Sequence, residues 1–267
     1  MELDLIEYKA SASINKDISY ELSALINADS LFYGVFDYAK TLIWAANIPL
    51  LSIGLLREEL SKNDISIRKF KAGYYSTHYT IIPNEEFDSV HSEILFEHVN
   101  GLENHNDYIL RNEYSEQFGM RLIYKVPKEI VRVVNQEFDN CSMIHANFAQ
   151  IETMQNQENT AVRLCFYDSS FDITVISDEK LILSNSFNYE GGQDVLYFLG
   201  LTFERLGLDY RLQTIELGGL IQYDGEVVQL LKEYFGSIQY ATNYIKSDLD
   251  RSEEHFHLPL YMISKCA

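Results

Sequence analysis

The chain has 267 residues and an acidic composition, with 40 Asp and Glu against 21 Lys and Arg and a formal net charge of −19. Proteins that bind nucleic acid present clustered Lys and Arg to the phosphates, so this charge argues against a nucleic-acid partner. Hydrophobic residues make up 46% of the chain and charged residues 23%, which is typical of a folded globular protein and excludes a disordered one. The length allows one large domain or two of roughly 100–150 residues.

Neither the N-terminus nor the most apolar stretch predicts a secreted or membrane protein. The first residues lack the basic stretch and apolar core of a signal peptide. The apolar stretch 41–56 is shorter than the roughly 20 residues that a membrane-spanning helix needs, and Asn47 and Pro49 interrupt it. The three cysteines lie far apart without a Cys-x-x-Cys pair, which predicts reduced thiols in a cytoplasmic protein.

The first half of the chain predicts three strands, a helix, a further strand and a further helix. Turn-like breaks at 28–30 and 37–40 separate the first three strands, so we expect an antiparallel meander. After Pro49, apolar residues recur every three or four positions, which predicts a helix. The predicted strands are 22–27, 31–36, 41–45 and 79–82, and the predicted helices begin near residue 50 and span about 85–98.

The region between the halves is less regular. Residues 99–119 fit no periodic pattern and predict a loop. Residues 120–126 predict a strand and 127–138 a helix, with Pro127 suited to the first helical turn.

The second half of the chain repeats the order of the first. We predict strands at 162–167, 173–176, 181–187 and 212–217, and helices at 193–206 and 225–235. A shift of 140 residues without a gap superposes the two meanders and carries Ser30 onto Ser170 and Lys40 onto Lys180. The sequence therefore predicts two duplicated lobes of mixed α/β fold, residues 1–145 and 146–267.

Three segments of the second half resemble the actin-like ATPase superfamily. Residues 163–170, RLCFYDSS, resemble the family's strand that ends in Asp-x-Gly, the second phosphate loop. Residues 183–187, followed by Gly191-Gly192, resemble the strand and paired glycines that open the next helix. Residues 214–219, TIELGG, resemble the family's adenosine-contacting Gly-Gly turn.

The likeness covers most of the chain from residue 20 to 245, since 122–138 also resembles the strand and helix that close the first lobe. It is similar to the FtsA/PilM-like proteins of the superfamily and to an uncharacterised bacterial family of about this length. The resemblance implies two ribonuclease-H-like lobes in the actin-like ATPase architecture.

The turns that would hold ATP phosphates lack glycine in this sequence. In the family, glycines let backbone amides approach the phosphates, and an Asp in each lobe holds magnesium or orients the attacking water. Here the first turn is Ala28-Asp29-Ser30 and the second is Asp168-Ser169-Ser170. Asp29 and Asp168 are the weak catalytic candidates, although Asp commonly caps tight turns through its side chain. We therefore expect a fold without its chemistry, and no catalytic residue.

The resemblance implies a degenerate nucleotide site at six positions. They are Gly218, Gly219, Gly191, Gly192, Ser169 and Ser170. Both glycine pairs also have a purely structural interpretation. Gly218-Gly219 can make room for a packed neighbour, and Gly191-Gly192 can be a plain loop before a helix, although free amides there could hold an anion.

The histidines form two pairs that could contribute metal ligands. His91 and His98 lie seven apart on a predicted helix, near Glu97 and His105, and His255 and His257 alternate near the C-terminus. A metal site needs three or four converging groups, which the sequence does not indicate. We interpret these residues as solvent-facing and expect no metal.

Aromatic residues are dense from Gly73 to Tyr79, where Tyr74, Tyr75 and Tyr79 lie beside polar residues. Clustered aromatics are typical of protein interfaces, so we predict a protein-binding patch in this segment.

The leading functional hypothesis is a catalytically degenerate actin-like protein that acts, without a cofactor, as a protein-binding scaffold or regulator. The alternative is an ATPase or small-molecule kinase that uses ATP and magnesium in the interlobe cleft, favoured by Asp168 and Gly218-Gly219. An RNA-associated factor is disfavoured by the charge, despite a local basic patch at Arg68, Lys69 and Lys71. We expect a protein partner of unknown identity, no nucleic acid and no membrane insertion, and leave a homodimer open.

Overall fold

The computed structural model of the protein describes residues 8–10, 14–101, 107–139, 141–154, 159–242, 244–248 and 251–266. Its strands are, in chain order, β1 (Tyr8–Lys9), β2 (Ser19–Ile26), β3 (Ser30–Phe36), β4 (Leu42–Pro49), β5 (Ser66–Tyr74), β6 (Tyr79–Pro83), β7 (Tyr108–Ser115), β8 (Met120–Pro127), β9 (Ser142–His145), β10 (Ala161–Phe166), β11 (Ser170–Ser177), β12 (Lys180–Asn188), β13 (Thr214–Gly219) and β14 (Ser237–Tyr240). Its α-helices are α1 (Ile53–Lys62), α2 (Ser92–Asn100), α3 (Lys128–Glu137), α4 (Ala146–Glu152), α5 (Gly192–Leu206), α6 (Glu226–Tyr234), α7 (Arg251–Glu254) and α8 (Leu258–Lys265).

The first sheet has six strands in the order β1-β4-β3-β2-β5-β9. Strands β2, β3 and β4 form the predicted antiparallel meander. Strand β5 then runs parallel to β2, and β9 runs parallel to β5. Parallel neighbours require a crossover connection. Between β2 and β5 this connection runs through β3, β4 and then α1.

The second sheet repeats this topology in the order β12-β11-β10-β13-β14. Strands β10, β11 and β12 form the meander, β13 runs parallel to β10, and β14 runs parallel to β13. Helices α5 and α6 occupy the places that α1 and α3 hold in the first lobe. The predicted duplication is therefore confirmed, and each lobe carries one more parallel strand than the sequence indicated, β9 and β14.

One predicted correspondence between the halves is wrong. The sequence paired the strand at 79–82 with the strand at 212–217, but the counterpart of β13 is β5, which pairs with β2 as β13 pairs with β10. The first half of β5 carries Arg68 and Lys69 at exposed positions, so its apolar pattern begins only at Phe70. This mixture of charge and burial is why the sequence did not predict a strand there.

The strand at 79–82 belongs instead to a third sheet, ordered β6-β8-β7, which is inserted between β5 and α3 and carries α2. The prediction of a loop over 99–119 is wrong at 108–115, because β7 pairs with β8 over its whole length, while 102–106 lie outside the described residues. Seven of the eight β7 residues are only partly buried or exposed, and Arg111, Asn112 and Glu113 follow one another in it. A strand that lies at a solvated sheet edge gives little periodic signal.

Helices α4 and α8 lie where the two large sheets meet. Helix α4 is buried from Ala146 to Ile151 and contacts β5 and β9 as well as β11 and β12. Helix α8 packs on β2, β5 and β13. Gly73 and Gly218, at matching places in β5 and β13, make room for it: an added Cβ would lie 2.4 Å from Ile263 Cδ1 and 2.2 Å from Leu258 Cδ2.

Two further predictions can be compared with the described residues. Cys141, Cys165 and Cys266 are free, as predicted, and burial raises the pKa of each thiol to about 12. No helix in the described part of the chain has the length and apolar character needed to cross a membrane.

Candidate functional site

A cleft of about 520 Å³ lies between the two lobes. It is next to the meander turns 28–30 and 168–170, which correspond by resemblance to the phosphate loops of the family. Its walls come from 27–30 after β2, 74–77 after β5, 166–170 after β10, and the start of α8. The structure thus brings Asp29, Asp168, Ser169 and Ser170 to one cleft, as the duplicated fold requires. Both Asp residues are exposed.

The first turn is closed by its own side chain. The Asn27 side-chain oxygen accepts hydrogen bonds from the backbone N–H of Asp29 at 2.9 Å and of Ser30 at 2.7 Å, and from the Ser30 hydroxyl at 3.1 Å. This is an Asx turn, in which the carboxamide oxygen takes the place that an anion would take on consecutive amides. The capping residue is therefore Asn27 rather than Asp29, and an Asn two residues before Asp29 was the signal for it.

The second turn is joined to the first lobe by a pair of tyrosines. The rings of Tyr75 and Tyr167 are stacked, with centroids 3.6 Å apart and an interplanar angle of 20°. The Tyr75 hydroxyl lies 2.7 Å from the Ser170 Oγ, and the Ser170 carbonyl accepts the backbone N–H of Tyr167 at 2.8 Å. Both tyrosines line the cleft, so an aromatic contact between the lobes stands beside the turn at Asp168.

His145 holds the wall formed by 74–77 in place. Its Nδ1 accepts the backbone N–H of Asn147 at 3.2 Å, which caps α4, so its Nε2–H donates to the Ser76 carbonyl at 3.1 Å. Burial lowers the pKa of this imidazole to about 3. His145 therefore stays neutral and acts as a fixed link, and no pattern in the sequence predicted it.

Behind the cleft, a buried polar cluster connects the face of the second sheet to α4. Asp172 on β11 has no exposed surface, and it accepts hydrogen bonds from the hydroxyls of Ser186 and, at 3.4 Å, Tyr75. The Asn147 amide donates to the Ser186 Oγ at 3.1 Å. Burial raises the pKa of Asp172 to about 7. Asp172 was not predicted, although an Asp between Phe171 and Ile173 in an apolar strand was a visible signal.

None of the four predicted glycines is among the residues that line the cleft. Gly218 is packed by α8, and Gly219, at φ +79°, faces the Phe166 backbone, whose carbonyl oxygen would lie 2.2 Å from an added Cβ. Gly192 lies against α6, while Gly191 has open space around it. Packing accounts for Gly218 and Gly219 without a ligand, and their contact with a nucleoside stays a prediction.

The aromatic segment 73–79 is not the exposed surface patch that the sequence suggested: part of it lines the cleft, and its binding of a partner stays a prediction. Tyr74 and Tyr79 are only 7% and 8% exposed, and the Tyr79 hydroxyl lies 3.4 Å from the Ser184 Oγ of the other lobe. Tyr75 makes the stack described above. Tyr75 and Tyr79 contact the second lobe because β5 leads directly to it.

The two histidine pairs behave differently. His91 and His98 are exposed, as expected, and His91 lies beside Asp88. His255 and His257 are buried, contrary to expectation, because they lie in the short helical turn that leads into α8. The described residues contain no group of three or more His, Cys, Asp or Glu that could hold a metal, and His105 lies outside them.

The basic patch at 68–71 is engaged within the protein. Arg68 Nη2 lies 2.8 Å from Glu21 Oε1, and Lys71, only 7% exposed, donates to the Ser264 carbonyl at 2.7 Å in the last turn of α8. A buried lysine that caps a helix is not available to phosphates.

Two lobes of this duplicated topology, facing each other across a cleft, define the actin-like ATPase fold. A solved protein of Bacteroides thetaiotaomicron VPI-5482 with that fold and unknown function is 15% identical and has a TM-score of 0.73, over 94% of this chain and 98% of that chain. A chain of the PilM-PilN type IV pilus biogenesis complex is 12% identical with a TM-score of 0.62, over 91% and 97%. EutJ, an ethanolamine utilization protein of Carboxydothermus hydrogenoformans, is 9% identical with a TM-score of 0.54, over 96% and 92%.

Residues 9–238 match the family described as protein of unknown function DUF3822. The chain therefore belongs to the DUF3822 family, which accords with the resemblance to an uncharacterised family of this fold. At a significant level its sequence matches no curated protein.

Proposed function

We propose that this protein is a catalytically degenerate member of the actin-like fold that works by binding another protein. The observation that carries the proposal is the first turn, where the Asn27 side chain occupies the amides of Asp29 and Ser30. Nucleotide hydrolysis and phosphoryl transfer in this fold depend on such amides, because they neutralise and position the phosphates. A turn that has satisfied its own donors has none left for that task.

The charge of the cleft supports the same proposal. Its lining includes the carboxylates of Asp29 and Asp168 and, among the described residues, contains no Lys, Arg or His. A triphosphate brings about four negative charges, so without a cation from the protein it would be repelled unless magnesium bound first. The ATPase or kinase alternative therefore requires Asp29 or Asp168 to hold magnesium on their own.

One structural neighbour with this fold has been solved in complex with another protein. This neighbour is a chain of the PilM-PilN type IV pilus biogenesis complex. At 12% identity the likeness concerns the fold, and the partner of the present chain is not inferred from it.

Isothermal titration with ATP and magnesium tests the proposal, together with thermal unfolding at millimolar nucleotide. We expect no heat of binding and no shift of the melting temperature. A ligand at a hundred times its dissociation constant would instead add about 2.7 kcal/mol to the free energy of unfolding.

The matched variants are Asp168→Asn, in the cleft, and Asp178→Asn, in the exposed turn between β11 and β12 at the opposite end of the same sheet. Metal-dependent nucleotide binding that Asp168→Asn abolishes and Asp178→Asn preserves would establish the enzyme alternative. If the wild-type protein binds no nucleotide and co-purifies with a protein whose retention is insensitive to magnesium and ATP, the scaffold proposal holds.

A further inference from the structure

The cleft combines an acidic mouth with an aromatic wall. Asp29 and Asp168 are its two charged residues within the described lining, one from each lobe, and both are exposed. The rest of the wall includes the partly exposed Tyr75 and five aromatic residues that are largely buried behind the cleft surface: Phe32, Tyr74, Phe166, Tyr167 and Phe256. With a net charge of −19 on the whole chain, no cation in the described lining offsets these carboxylates.

This combination matches one side chain better than any other. The arginine guanidinium is planar, stacks on aromatic rings and pairs with carboxylates, and its aliphatic stem lies well along apolar surface. The volume of about 520 Å³ lies within the roughly 300–1,000 Å³ of cavities that enclose small ligands, so it can hold an arginine with its neighbouring side chains.

An unsatisfied acceptor in the wall points the same way. The side-chain oxygen of Asn47, on β4, is buried and has no hydrogen-bond partner within the part of the chain that the structure describes. Buried acceptors are nearly always paired, and this one lies beneath the cleft surface, so a donor in the cleft reaches it only if the amide turns outward. The amide donors of Asp29 and Ser30 are used by Asn27, and the charged groups of the described lining are the two carboxylates.

We propose that the cleft binds an arginine-bearing segment of a partner protein, with the guanidinium between Asp29 and Asp168 and the flanking apolar side chains against the aromatic wall. The inference rests on the proposed function, since it names the chemistry of the partner that a protein-binding role requires. It reverses the electrostatics of a nucleotide site: the same two turns would attract a cation instead of a phosphate.

The test is selection from a random heptapeptide display library at physiological salt, on wild-type protein and on the double variant Asp29→Asn/Asp168→Asn. We expect the selected peptides to be enriched several-fold in arginine and to bind the double variant at least tenfold more weakly. Asp178→Asn, which removes one carboxylate from the lobe of Asp168 but away from the cleft, should bind them as the wild type does. Replacing the arginine by citrulline, which keeps the shape and removes the charge, should reduce binding to a similar extent as the double variant.

Three results would overturn the inference. One is selection of peptides without arginine, or of none; another is equal binding to the wild type and the double variant. The third is spermidine competing for the cleft with higher affinity than any selected peptide, which would assign the cleft to a small polyamine. In each case the proposed function would still hold if a protein partner binds at another surface. Nucleotide binding in the titration above would instead contradict both the proposed function and this inference.

Discussion

Asp172 is the residue whose ionisation matters most to the contact between the lobes. It is fully buried between β12, α4 and Tyr75, and its Oδ2 has no hydrogen-bond partner among the described atoms. Burial penalises the charged carboxylate and raises its pKa to about 7, whereas an Asp in the unfolded chain has a pKa of about 4. Between these values the folded chain keeps a proton that the unfolded chain loses.

The protein should therefore gain stability from Asp172 as the pH falls from 7 towards 4. The gain approaches about 1.4 kcal/mol per pH unit in the middle of this window and stops below about pH 4, where both states are protonated. Asp172→Asn keeps the acceptor for Ser186 and should remove this slope. Urea unfolding at pH 5.0 to 7.5 measures the difference between the two proteins, and Asp178→Asn, in an exposed turn, should unfold with the wild-type slope. Parallel curves for wild type and Asp172→Asn would contradict the assignment.

The turn at the end of β13 depends on backbone conformation rather than on charge. Gly219 has φ +79° and lies against the Phe166 backbone, so Gly219→Ala combines left-handed strain with a contact that no side-chain rotation can relieve. We expect it to lower the free energy of unfolding by about 2–5 kcal/mol. Gly191 has φ −161° and open space around it, so Gly191→Ala should cost no more than about 1 kcal/mol, as a changed helix cap.

Chemical denaturation of the two glycine variants makes this comparison directly. Equal losses would mean that Gly219 is not held against β10 as described. If Gly219→Ala is strongly destabilised, a Gly219 variant cannot serve as a test of nucleotide binding. A bulky residue there would unfold the protein, and binding would be lost for that reason alone.

The sequence predicted elements well where their burial is regular and poorly where it is not. The two meanders were predicted because most of their strands are short, nearly continuous apolar runs between turn residues, and α5 and α6 because apolar residues recur in them at helical spacing. Strand β7 was missed because its residues are half-exposed, and β9 and β14 because they are only four residues long. The cleft turns were located by the repeat, but their closure by Asn27 and the contact of Tyr75 with Tyr167 depend on side-chain placement, which no spacing encodes.

At the scale of the whole molecule, α4 and α8 make the two lobes dependent on each other. Helix α8 follows the second lobe in sequence, yet it fills space beside glycines of both sheets through Ile263 and Leu258. Helix α4 donates from Gln150 to Thr174 on β11 at 2.7 Å while it packs on β5. Separating the lobes would expose these apolar surfaces and leave buried polar groups without partners, so we expect both lobes to unfold in one transition.

The chain offers one probe on each of the two large sheets. Its single tryptophan, Trp44, is buried on β4 of the first sheet, and Cys165, on β10 of the second sheet, is buried in the cluster that joins the lobes. In a variant with Cys141→Ser and Cys266→Ser, tryptophan fluorescence and the reactivity of the Cys165 thiol should change at the same urea concentration. Leu258→Ala with Ile263→Ala removes the α8 contacts with both glycines. It should lower the free energy of unfolding by about 2–5 kcal/mol for each truncation and move both probes together to a lower urea concentration. Two separate midpoints in the parent variant would show that the lobes unfold independently. The interlobe contacts would then contribute little to stability, because one lobe would stay folded after the other had unfolded.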